Sequence, residues 1–212
     1  MKTLRHEIPH GSHPQLLWHI KDDEKMTTEQ KIQEFLLLSA LEQNNYEEIA
    51  KKLGVDRKDL TLWEKENKEK YKEISEIRKI YLRKELNKIE IRDFYVWYCK
   101  QERKCFYCEI TEKEINELIK QGKIKTKRLT TRGKRLEIER RQSELDYNDL
   151  SNLTLSCYWC NNAKSDEFSE EEFKFYIASG IKKIWQERLS GFRTHRFVGN
   201  LSDLKFTKKS ND

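Results

Sequence analysis

CFYC, at Cys105 to Cys108, is answered forty-eight residues later by CYWCNNAK, at Cys157 to Lys164. A C-x2-C turn aims two thiolates at one ion, and a second such turn completes a tetrahedral four-sulfur site. The insert is too long for a compact zinc ribbon, so the ion must clamp a segment with structure of its own. A closed four-cysteine site has no position left for substrate. Cys105, Cys108, Cys157 and Cys160 are therefore expected to hold one structural Zn2+, whose binding contributes on the order of 10 kcal/mol to folding. The remaining thiol, Cys99, is expected to be buried in a helix.

Of the 212 residues, 36% are hydrophobic and 38% charged, a balance that favours two small cores over one large one. The longest apolar run, FLLLSAL at Phe35 to Leu41, is far below the ~18 residues of a membrane span. With no signal-peptide pattern at the N-terminus, a soluble, cytoplasmic protein is expected. In a reducing compartment the cysteine pairs read as a metal site rather than as disulfides. The net charge of +6 is unevenly placed, because ten Lys or Arg residues fall between Lys120 and Arg141 against only Glu137 and Glu139. A basic segment between the two knuckles suits a polyanion, with Lys125, Lys127 and Arg128 as contacts and Arg193 and Arg196 as helpers.

Four segments are expected along the chain. Residues 1–25 hold both prolines and four of the five histidines without a helical period and read as an extended arm. Residues 26–88 read as helical. Thr27 or Thr28 caps a first helix that ends at Asn44 and Asn45. Then NYEEIAKKLGVDRKDLTLWEKE sets Ile49, Ala50 and Leu53 on one face, breaks at Gly54, caps with Asp56 and resumes with Leu60 and Trp63, in the manner of a helix-turn-helix. If this pair meets nucleic acid, Arg57, Lys58, Thr61 and Lys65 are the side chains that its second helix offers. Helical spacing continues from Lys68 to Lys104 with a break near Asn87. Residues 89–190 form the cysteine module, with an aromatic helix beneath it, and 191–212 a basic tail.

Within the module TEKEINELIKQG reads as a helix, KRLEIER as a strand, NLTLS as a second strand, and the second knuckle opens a helix. This order, with LEIER, NLTLSC and CNNAK, resembles the HNH endonuclease family over about residues 95 to 178. The fold implied is mainly α with a small α+β module: a helix-turn-helix-like region joined to a zinc-stapled ββα-metal finger. The activity implied is hydrolysis of DNA phosphodiester bonds with one divalent ion, Mg2+ or Mn2+, in restriction, phage defence or mobile-element biology in a bacterium or its phage. Carried over by position, Glu139 and Asn161 hold that ion, Asn152 braces the loop, and Lys164 is the common lysine, assigned to nucleic acid.

Where the family has its catalytic His, this chain has Arg140. Deprotonating a guanidinium of pKa above 12 at pH 7 costs upwards of about 7 kcal/mol, which excludes it as a base. A minority branch of the family carries an acid-Arg pair with a Tyr seven residues after the Arg, and Tyr147 stands there. Ionising an ordinary phenol costs about 4 kcal/mol at pH 7, within reach of neighbouring cations. The resemblance thus makes Tyr147 the candidate base and Arg140 the candidate phosphate clamp, with His195 as the alternative base. Two other readings stay open: a catalytically inactive zinc-clamped DNA-binding regulator, and a protein-interaction adaptor. The sequence also leaves open whether the chain acts as a homodimer or in a larger complex.

Overall fold

In a computed structural model, the protein is described over residues 26–124 and 132–191. The expected arm, Lys125, Lys127 and Arg128, and the tail with Arg193, His195 and Arg196 lie outside the described residues. The described residues divide into two compact units: one comprises 26–102 and 145–153, and the other 103–124, 132–144 and 154–191.

In the first unit, Thr27 opens α1 (Thr28–Leu36) through a reciprocal cap with Gln30. The helix continues as a wide π turn, Leu37–Leu41, in which Leu38, Ser39, Ala40 and Leu41 are all buried. Four consecutive buried residues mean that the turn is covered on more than one face. Asn45 caps α2 (Tyr46–Leu53), accepting from the Glu48 N–H at 2.9 Å. Gly54, at φ 60° and ψ 52°, ends α2 in the left-handed conformation that costs glycine nothing, and α3 (Arg57–Glu66) restarts from Asp56. The expected helix pair is therefore formed. α4 (Lys68–Arg83) stops before the buried Leu86, and α5 (Ile91–Lys100) follows.

The core of this unit centres on Phe35, whose ring meets Tyr46 at 5.5 Å and Trp63 at 6.0 Å, both edge-on, with Ile49, Leu53, Leu60 and Ile74 around it. Full burial of each such side chain is worth about 1.5–3 kcal/mol. Arg92 ties α5 to α1 by a fork onto Glu34, at 2.8 and 3.1 Å, and a further bond to Glu42. Cys99 is half-buried beside Tyr95 rather than enclosed as expected, because it lies at the edge of the α5 face that packs inward.

The second unit starts at the first knuckle. The Cys105 N–H donates to the Ile110 carbonyl at 2.8 Å, closing the turn with Glu109 at φ 64°. Thr111 and Glu114 box the start of α6 (Glu112–Lys120). β1 (Glu137–Arg140) and β2 (Leu153–Ser156) pair as a two-stranded antiparallel sheet, the only sheet among the described residues. Next come α7 (Tyr158–Lys164), the single turn α8 (Glu170–Glu172), a π turn at Phe173–Ile177, and α9 (Ala178–Ser190). Ile110, Ile115, Leu118, Ile138, Leu155, Phe173 and Trp185 fill the core. The strand, loop, strand and helix follow in the expected order. No described helix is long and apolar enough to cross a membrane.

Candidate metal and active site

The Phe106 N–H donates to the Leu155 carbonyl at 2.8 Å, which lays the first knuckle against β2 just ahead of the second knuckle. The ligand atoms of Cys105, Cys108, Cys157 and Cys160 consequently lie within 4.8 Å of one another, all buried and none in a disulfide. Cys108 Sγ and Cys157 Sγ are 3.6 Å apart. A tetrahedron with metal–sulfur bonds of about 2.3 Å has edges of roughly 3.8 Å, so the four are positioned to bind one metal ion. Cys157 also caps α7, its sulfur accepting the Cys160 N–H at 3.4 Å. Hydrogen bonds from Cys108, Cys157 and Cys160 hold the Cys105 thiol below its ordinary range, and the same crowding pushes Cys157 and Cys160 up. A dication relieves that competition, since it stabilises every ligand as thiolate.

Two periodicities meet between β1 and α7. Residues two apart on a strand share a face, as do residues three apart on a helix, so Glu137 and Glu139 oppose Asn161 and Lys164. The Asn161 side-chain amide donates to Glu137 at 2.7 Å, and Lys164 Nζ lies 3.9 Å from Glu139. Arg132 grips Glu137 with both arms, at 2.8 Å through Nε, and lies 5.0 Å over the Tyr158 ring. The assignment by resemblance pairs Asn161 with Glu139, whereas the carboxylate that Asn161 touches is Glu137. The signal for Glu137 was present in the alternation of LEIER, which sends both glutamates to one side.

Lys164 is 0% exposed, with its ammonium donating to Ser143 Oγ at 2.8 Å, and Glu139 is 6% exposed. The lysine that the resemblance assigns to nucleic acid is thus enclosed, with its charge beside Glu139 and Ser143. Ser165, directly after it, has φ 47° and ψ −145°, a region that costs a non-glycine residue about 1–3 kcal/mol. Ser143 Oγ donates to the Ser165 carbonyl at 3.3 Å and so fixes the strained residue and the lysine together.

Arg140 points to the other side of β1 and meets the exposed Asp166 at 3.2 Å. Such a solvent-facing pair is worth at most about 1 kcal/mol. Arg141 forks onto Glu170 at 2.6 and 3.1 Å, tying β1 to α8. Tyr107, inside the first knuckle, is unsuited to act as a base. Burial raises its phenol above the ordinary range, and the Glu139 and Glu170 carboxylates raise it further.

Tyr147 and Asn152 fall in the segment that groups with the helical unit. The Tyr147 hydroxyl accepts from Lys84 Nζ at 3.2 Å, and Asn152 is buried at the end of a short 3-10 turn, Leu150–Asn152, that Asp149 caps through Ser151. On α3 the side chains of Arg57, Lys58, Thr61 and Lys65 are all exposed, Arg57 lying 3.7 Å from Glu47.

No family model matches the chain, and no curated protein matches it. Among solved structures, that of the rare-cutting HNH restriction endonuclease PacI is similar, at 29% identity and a TM-score of 0.39 over 47% of this chain. The match spans 66% of that enzyme's own chain, just under two thirds of it.

Proposed function

We propose that the protein is a metal-dependent HNH-type endonuclease that hydrolyses DNA phosphodiester bonds on a finger stapled by Zn2+ in the four-cysteine cluster. The observation that carries this reading is Asn161 on α7, directly opposite the Glu137 and Glu139 face of β1. An amide oxygen and carboxylates suit a hard divalent cation such as Mg2+ or Mn2+. Bound there, the cation would offset charge developing on the scissile phosphate and its leaving oxygen. Arg140 exchanges its exposed partner Asp166 for a phosphate oxygen, and the phenol of Tyr147 takes the proton of the attacking water. Asn152 braces the loop, and the helical region, through Arg57, Lys58, Thr61 and Lys65, guides the finger on DNA.

Incubating supercoiled plasmid with the protein and Mg2+ or Mn2+ tests this reading on a gel. Nicked or linear product, abolished by Asn161→Ala, is expected. Salt-sensitive DNA binding with no cleavage in either metal would replace it with the DNA-binding regulator. One observation favours that second reading: the buried Lys164 already neutralises Glu139.

A further inference from the structure

Lys84 lies at the C-terminal cap of α4, a position that nothing in the sequence motifs marks. Its backbone N–H bonds to the Ile80 carbonyl at 3.1 Å. The turn beyond it is fixed by the fully buried Leu86 and by Tyr81, whose hydroxyl donates to the Ile89 carbonyl at 2.8 Å. From this anchored stem, Nζ reaches 3.2 Å from the Tyr147 hydroxyl oxygen and 4.7 Å from the centre of its ring. The other side of the contact is fixed too. Asp149 accepts both the Ser151 N–H, at 2.8 Å, and the Ser151 hydroxyl, at 2.7 Å, bracing the loop two residues after the tyrosine.

An ammonium has no lone pair, so in this contact Lys84 can only donate and the phenol oxygen can only accept. The hydroxyl proton of Tyr147 is therefore directed away from Lys84. When that proton leaves, Lys84 keeps its bond, which becomes charge-assisted and stronger on the phenolate. We infer that Lys84 is a positioning residue for the hydrolytic step, holding the Tyr147 oxygen in place as its proton leaves; this rests on Tyr147 as the base. Tyr147 first gives its proton to solvent, and the phenolate then takes one proton from water as the water oxygen bonds to phosphorus. The bond from phosphorus to the leaving oxygen breaks, and that oxygen is protonated by solvent.

The full chain tests this with plasmid DNA and Mg2+ under single-turnover conditions, alongside duplex binding by fluorescence anisotropy. Lys84→Met keeps the aliphatic stem and should lower the maximal rate by about tenfold or more with duplex affinity unchanged. Lys84→Arg, which keeps a cationic donor, should recover much of the rate. The double variant Lys84→Met/Tyr147→Phe should cut no more slowly than Tyr147→Phe alone, because the lysine acts only through the phenol. Circular dichroism and melting temperature establish that each variant is folded. A slow Tyr147→Phe beside a Lys84→Met at wild-type rate overturns the role of Lys84 and leaves the base in place. A Lys84→Met defect confined to DNA affinity, or one that multiplies with that of Tyr147→Phe, also overturns it. Wild-type cutting by Tyr147→Phe removes the base assignment itself, and the inference with it.

Discussion

Asn161 of α7 donates its side-chain amide to Glu137 of β1 at 2.7 Å, two residues before the glutamate that the family resemblance assigns to the cation. The pairing makes Glu137 a candidate ligand beside Glu139 and Asn161. Titration with Mn2+, followed by the spin resonance of the free ion, should show one site in the wild type. Asn161→Ala and Glu137→Gln should each weaken it by at least about tenfold, as loss of a ligand or of its close support does. Unchanged Mn2+ affinity in Glu137→Gln would reduce Glu137 to a structural partner of Asn161.

Lys164 and Glu139 form a buried ion pair, and breaking one half of such a pair costs about 3–5 kcal/mol. Glu139→Ala should therefore lower the melting temperature by about 10 °C or more, whatever it does to metal binding. The double replacement Glu139→Gln/Lys164→Met removes both charges and should recover a large part of the loss. Thermal unfolding of the four species, wild type included, decides it. A Glu139→Ala protein as stable as the wild type would mean that the pair contributes nothing.

The four thiols are packed tightly enough that losing one should release the ion. Cys105→Ser or Cys160→Ser should bring bound zinc from one equivalent per chain towards none, with the second unit melting at much lower temperature. Metal analysis of purified protein provides the measurement. Well-folded wild-type protein without zinc would contradict the assignment.

If the protein binds DNA through its basic segment, affinity should fall steeply with salt, by a slope of about 0.9 for each phosphate neutralised. Neutralising Lys125, Lys127 and Arg128 together should flatten that slope by about two to three. An unchanged slope would move the contacts to the exposed side chains Arg57, Lys58 and Lys65 of α3. Anisotropy titrations at several salt concentrations separate the two.

Much of this architecture is legible without coordinates, because it is written in short-range rules. The knuckle spacing brings Cys105, Cys108, Cys157 and Cys160 to one centre, and Gly54 breaks α2 from α3 because a left-handed residue is needed there. The strand and helix of the finger follow from the alternation in LEIER and the capping cysteine ahead of α7. Partner choice between elements is not local. Whether Asn161 meets Glu137 or Glu139 depends on how far α7 is advanced along β1, and one strand repeat of about 6.6 Å separates the two outcomes. That same register sends Lys164 into the interior, although the resemblance assigns it to nucleic acid. Lys84 and Tyr147, sixty-three residues apart, meet only because the loop before β2 groups with the helical unit. Sequence determines what each turn, cap and knuckle can do alone; long-range packing selects which charges share a low-dielectric site, since that choice depends on burial that no single segment possesses.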